Sequence, residues 1–194
     1  MILLLHDFSD FWYGWRFQLS ELCKSNYVIA IDLKGFGDSD KPSSAREYKG
    51  DIVVEEIKIL INALKQNGDN KVVLIGHGIG AYIGWHLVEK YPLIVEKFVS
   101  ISMPHPCVWT YQKTITWRSI FKNSFLFFCR LPFLPEIDML TNYGERIEHQ
   151  RKGPEYKFCN SDKVTIYLEN LVTTYLCRRP THILFQGFLT GVDL

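Results

Sequence analysis

The residues best placed to do chemistry lie in the run Lys71-Val72-Val73-Leu74-Ile75-Gly76-His77-Gly78-Ile79-Gly80. A short apolar strand meets a glycine-bracketed turn, and Ala81 to Tyr91 continues with helical spacing. This is the sequence form of a nucleophile elbow, a tight strand-to-helix turn that lifts one side chain above a parallel sheet. Gly76 and Gly80 let the backbone turn sharply and let helix and strand approach closely. Covalent catalysis at such a turn needs a hydroxyl, thiol or carboxylate at the apex. The apex is Gly78, so the elbow is expected to present no nucleophile.

Other residues of chemical type are weighed against plainer roles. The six histidines are His6, His77, His86, His105, His149 and His182. They share no zinc-ligand spacing, so no metal is expected, and His6 and His77 read as structural neighbours of their turns. Asp32 and Asp40 could pair as carboxylates but lie in a Gly/Asp/Ser/Pro loop, where packing is the expected role. Asp10 is expected near solvent, and Glu136 and Asp138 as surface charges. The five cysteines (Cys23, Cys107, Cys129, Cys159, Cys177) are odd in number and lack a CxxC pair. They read as reduced thiols, which points to a cytoplasmic location.

These residues must be positioned by an alternation of strands and helices. Ile2 to Leu5 is an apolar strand, and His6 to Asp10 a turn. Phe11 to Cys23 places Trp12, Trp15, Leu19 and Leu22 on one helical face. Tyr27 to Leu33 is a second strand, closed by the loop Lys34 to Pro42. Asp51 is the expected N-cap of a helix with face Val53, Ile57, Leu60, Ile61 and Leu64. After the elbow and its helix, Val95 to Ser102 is another strand. From Met103 the chain becomes aromatic and proline-interrupted (Trp109 to Phe133), then polar, then helical from Val164 to Leu176. Thr181 to Phe185 reads as one more strand. The organisation expected is an α/β parallel-sheet core over 1–103, a helical insertion over 104–179, and a return to the sheet over 180–194.

The 194 residues suffice for one sizeable core, and a net charge of +1 gives no reason to expect a nucleic-acid partner. No apolar run approaches the roughly 18 residues of a membrane span. The start, Met1-Ile2-Leu3-Leu4-Leu5, lacks the basic region and length of a signal peptide.

Four motifs in order resemble one family. Leu3 to Arg16, with His6-Asp7-Phe8-Ser9-Asp10-Phe11-Trp12-Tyr13-Gly14-Trp15-Arg16, resembles the HGFPEFWYSWR segment of α/β-hydrolase-fold epoxide hydrolases. Asp32 to Pro42 is similar to their DxRGxGxSDxP loop. Gly76-His77-Gly78-Ile79-Gly80 matches their GHDWGG elbow in frame. Pro104-His105-Pro106 looks like the approach to their cap, and Leu131 to Glu136 like the cap's IPWFPE. The match is nearly continuous to about residue 140.

The resemblance implies a mechanism: an elbow aspartate attacks an oxirane carbon, a carboxylate-oriented histidine activates water against the resulting ester, and two cap tyrosines hold the oxirane oxygen. It implies no cofactor. Carried over residue by residue, the nucleophile position is Gly78. The oxyanion donors are the backbone N–H groups of Ile79 and Phe8, the latter in a loop where HGFP has become His6-Asp7-Phe8-Ser9. The first cap tyrosine falls on Phe125, which has no hydroxyl, and the second near Tyr175. After Phe185 the family reads LLLWGENDAF, whereas Gln186-Gly187-Phe188-Leu189 offers no acid. The histidine belongs to a later strand outside this sequence.

The sequence maps onto the third to seventh strands of the family's sheet. The resemblance therefore implies an α/β-hydrolase fold of about five parallel strands in the order 4-3-5-6-7, truncated at both ends, with the cap after Val95–Ser102. Sheet edges without neighbours would invite self-association. Trp12, Phe125 and Phe128 are expected to line an apolar pocket for a small molecule. The chain is expected to be a catalytically inactive epoxide-hydrolase-like hydrolase. The alternatives are a non-catalytic apolar-ligand binding protein or a fragment of an active enzyme.

Overall fold

A computed structural model describes residues 1–8, 10–65 and 71–111, the side chains of 109–111 excepted. Four strands, β1 (Ile2–Leu5), β2 (Val28–Ile31), β3 (Val72–His77) and β4 (Val95–Ile101), form one parallel sheet in the order β2-β1-β3-β4. This is the order expected for the family's strands 4-3-5-6. The expected helical insertion beyond residue 111 and the fifth strand expected in the return over 180–194 lie outside the described residues.

The sheet holds because β1 is apolar throughout and sits between two neighbours. Its side chains alternate between the two faces of the pleat. Leu3 and Leu5 join the larger core, with Val53, Ile57 and Ile61 of α2 (Gly50–Leu64) and Ile83 and Leu87 of α3 (Ile79–Lys90). Ile2 and Leu4 face the opposite side and pack on Trp15, next to α1 (Arg16–Leu22). All four β1 residues are buried, each apolar side chain contributing about 1.5–3 kcal/mol relative to exposure.

Local details differ from the sequence expectation at two helix starts. The segment expected as a continuous helix from Phe11 begins as a 3-10 turn, Trp12–Trp15, before α1. Trp15 is buried, whereas Trp12 is 42% exposed, so the two do not share one covered face. Asp51 does not cap α2: Lys49 occupies the N-cap, and Asp51 lies in the first turn, where its charge still complements the helix dipole.

On the outside of α2 and α3, Glu55 accepts from Lys90 Nζ at 2.8 Å and Lys58 Nζ at 3.3 Å, and from the Tyr91 hydroxyl. Those partners, Lys90 foremost, draw its carboxyl down to about 2. The cluster ties the two helices together at the surface.

The topology creates the place for a site. From β1 the chain crosses through α1 to β2 on one side, then passes through α2 to β3 on the other side of β1. The carboxyl ends of β1 and β3 therefore flank the point where strand order reverses, the position at which open α/β sheets bind ligands.

Candidate functional site

Residues 6–8 leave the end of β1 beside residues 77–80, where β3 turns into α3. The approach is close because Gly80 has no side chain. A β-carbon there would lie 2.4 Å from the Leu5 carbonyl oxygen. The Gly80 N–H donates to the His6 carbonyl at 3.1 Å, and the Gly78 N–H to the Ile101 carbonyl at 3.0 Å. The turn is thus pinned to strands on both sides.

Gly78 is buried and has φ +49° and ψ −112°, a conformation that is strained for residues with a side chain. The strain is the signature of an elbow, yet no nucleophile is displayed. The space above it is nonetheless filled. A β-carbon on Gly78 would fall 1.8 Å from Asp7 Oδ1, 2.0 Å from its Cγ and 2.4 Å from its Oδ2. The carboxylate of Asp7 has entered from β1 and occupies the start of the missing side chain.

The two backbone donors expected at this site both engage that carboxylate. Ile79, the first residue of α3, donates its N–H to Asp7 Oδ1 at 2.8 Å. Phe8 donates its N–H to the same oxygen at 2.7 Å. Two amides converging on one oxygen, one of them at a helix N-terminus, make an oxyanion cradle. Here an anionic side chain of the chain itself supplies the acceptor, in bonds of the charge-assisted kind.

His6 holds the loop rather than serving as a base. Its ring is fully buried. Nε2 accepts the Leu33 N–H at 2.9 Å, which leaves Nδ1 as the protonated nitrogen, donating to the Asp7 carbonyl at 2.7 Å. Phe36 stands edge-on at 5.2 Å between ring centroids. Burial pushes the imidazole below its ordinary value of 6.5, so it is neutral with both nitrogens committed. The expected structural role of His6 is the one observed.

The remaining candidates divide as follows. Asp32 is a packing residue: Oδ1 accepts the Trp12 N–H at 2.7 Å and Oδ2 the Asp38 N–H at 2.9 Å. Asp40 offers its backbone carbonyl to the Gly35 N–H at 2.9 Å. Asp10 Oδ1 accepts the Phe11 N–H at 2.8 Å. His77 ends β3 and is half-buried. His86 lies edge-on to Tyr82, whose hydroxyl burial pushes up to about 12. His105 Nδ1 accepts the Cys107 N–H at 3.1 Å, with the ring against Trp85, where the chain enters α4 (Pro106–Tyr111). Trp12 is exposed, its ring edge-on to Tyr13. Phe125, Phe128, Tyr175, His149 and His182 lie outside the described residues. Among the described residues, no three His, Cys, Asp or Glu side chains come together as a metal site. No helix there is long and apolar enough to cross a membrane.

Asp7 is the residue of this site that sequence reasoning missed. Its signal was reciprocal: the chain carries aspartate where the resembled loop has glycine, and glycine where the resembled elbow has aspartate.

An elbow at the switch point of a parallel sheet, with two converging amide donors, defines an α/β-hydrolase site, and sequence comparison agrees. The family described as alpha/beta hydrolase fold matches residues 1–130. The chain belongs to that family. Within it, the similarity runs to epoxide hydrolases. Epoxide hydrolase 4 of Mus musculus is 38% identical over 149 residues, covering 77% of this chain and 41% of the relative. The AB hydrolase superfamily protein YfhM of Bacillus subtilis is 37% identical, covering 73% of this chain and 49% of the relative. The crystal structure of a Bacillus megaterium epoxide hydrolase in complex with an inhibitor superposes with a TM-score of 0.80 at 26% identity, covering 96% of this chain and 63% of that one. The chain spans about two fifths to a half of the length of the curated relatives named here.

Proposed function

We propose that this epoxide-hydrolase-like α/β hydrolase does not turn over epoxides, the compounds named in its relatives, because its elbow is chemically silent and its oxyanion cradle is self-occupied. One observation carries the reading. The three heavy atoms nearest an added Gly78 β-carbon all belong to the Asp7 carboxylate, and Asp7 Oδ1 already takes both cradle amides. An ester or alkoxide oxygen needing those donors would have to displace a bound carboxylate. The imidazole that precedes Asp7, His6, is neutral and has no free nitrogen to activate water. Loss of a nucleophile in a covalent mechanism removes about four to six orders of magnitude in rate, and Phe125 further lacks the hydroxyl the reaction would use.

The test is diol formation from an aryl epoxide such as styrene oxide by the purified 194-residue chain. The expected result is no diol above the uncatalysed rate. Multiple turnovers that persist in the wild type and disappear in Asp7→Asn would make Asp7 a nucleophile and overturn the proposal.

A further inference from the structure

We propose that the hollow above Gly78 is a carboxylate-binding cradle that the chain keeps filled with Asp7, so that residues 7 and 78 form one exchangeable position. Either can supply the carboxylate, but not both. With the Asp7 side chain removed, the cradle takes a small monocarboxylate from solution. This deepens the reading above and rests on the same site. Its readouts are stability and anion binding, so its failure is distinguishable from the appearance of epoxide turnover.

Three observations support the exchange. First, the donors come from two segments far apart in sequence, 72 positions between Asp7 and Ile79, and meet on one oxygen. A carboxylate there accepts from both amides at the positive end of a twelve-residue helix. Second, the Asp7 carboxyl does not merely border the place of a residue-78 side chain. All three of its terminal atoms lie within 2.4 Å of where that β-carbon would be. Third, the two departures from the resembled motifs are reciprocal, HGFP to His6-Asp7-Phe8-Ser9 and GHDWGG to Gly76-His77-Gly78-Ile79-Gly80. One alone would bring two carboxylates into collision. The other alone would leave the cradle empty. Together they keep one carboxylate at one point.

A double-mutant cycle on the full chain tests this, with Asp7→Ala, Gly78→Ala and the double variant compared by thermal unfolding. The backbone strain of alanine at φ +49° enters both backgrounds and cancels. What remains is the encounter of the residue-78 β-carbon with the residue-7 carboxylate. Gly78→Ala is expected to lower the wild-type midpoint by about 10 °C or to prevent folding, and to cost less than half as much in the Asp7→Ala background. Additive losses would overturn the proposal.

Because Gly78→Ala is the variant most at risk of not folding, a second measurement uses Asp7→Ala alone. It is titrated with sodium formate at constant ionic strength, with chloride as the control. Formate is expected to raise the midpoint of Asp7→Ala by several degrees and to shift the Phe8 and Ile79 amide resonances saturably, leaving the wild type unmoved. No response in Asp7→Ala, or an equal response in both proteins, would overturn the proposal.

Discussion

Asp32 sits over Gly37 much as Asp7 sits over Gly78. Both glycines have φ +49°, and an added β-carbon would lie 1.9 Å from Asp32 Oδ2 in one case and 1.8 Å from Asp7 Oδ1 in the other. The hydrogen bonds differ. Asp32 spends one oxygen on each of two amides, Trp12 and Asp38, and also accepts the Ser39 hydroxyl on its backbone carbonyl at 2.6 Å. It stitches loops together. Asp7 receives both amides on a single oxygen, and one of them opens α3. A carboxylate over a left-handed glycine is thus a loop-tying device in this fold. Convergence on one oxygen at a helix N-terminus, where the strand order reverses, is what turns the second example into a cradle.

The comparison can be broken by substitution. The largest effects are expected at the glycines: Gly37→Ala and Gly78→Ala should each cost about 3–5 kcal/mol in urea unfolding, from backbone strain plus collision with a carboxylate. Removing the facing aspartate should relieve both. Only the Asp7→Ala background should then respond to formate, because the Asp32 amides point at separate oxygens. A formate response in Asp32→Ala of equal size would erase the distinction.

A smaller effect is expected at His6, which supports the cradle loop from behind. His6→Gln should cost about 1–3 kcal/mol by disturbing the buried bond from the Leu33 N–H. It should also change the pH dependence. The folded imidazole titrates below 6.5 and the unfolded one near 6.5. The unfolded state therefore binds the proton first as pH falls, and stability present above pH 6.5 is lost below it, by up to about 1.4 kcal/mol per pH unit. Urea unfolding between pH 7 and pH 5 should show that slope in the wild type and a shallower one in His6→Gln.

The smallest effect is expected at the α2–α3 surface. Glu55 titrates near 2 in the folded chain against an ordinary 4.5. Its contribution is present above pH 4.5 and disappears as pH falls toward 2. Because the group is exposed, Glu55→Gln should flatten that acid limb only slightly. An unchanged Glu55 side-chain titration in Lys90→Ala, followed by NMR, would show that the ion pair is not its cause.

Much of the core was legible in the sequence because local pattern and global topology agree there. The Val, Leu and Ile runs of β1 and β3, the period of α2 and the glycines of the elbow each name an element, and motif order fixed the strand order. The 3-10 start at Trp12 was not legible, because Trp12 and Trp15 satisfy the same spacing as a helix while Asp32, twenty residues on, holds the Trp12 amide. The absence at Gly78 could be read from one residue. The presence of Asp7 could not, because it depends on a contact spanning 72 positions. Only the paired glycine and aspartate exchanges, read together, carry that information.

The most direct measurement of the central claim is an NMR experiment that detects scalar couplings across hydrogen bonds, using uniformly ¹³C,¹⁵N-labelled chain. Correlations from both the Phe8 and Ile79 amide nitrogens to the Asp7 side-chain carboxyl carbon are the predicted result. Correlation of Phe8 alone, with the Ile79 amide coupled to another acceptor or exchanging freely with solvent, would contradict it.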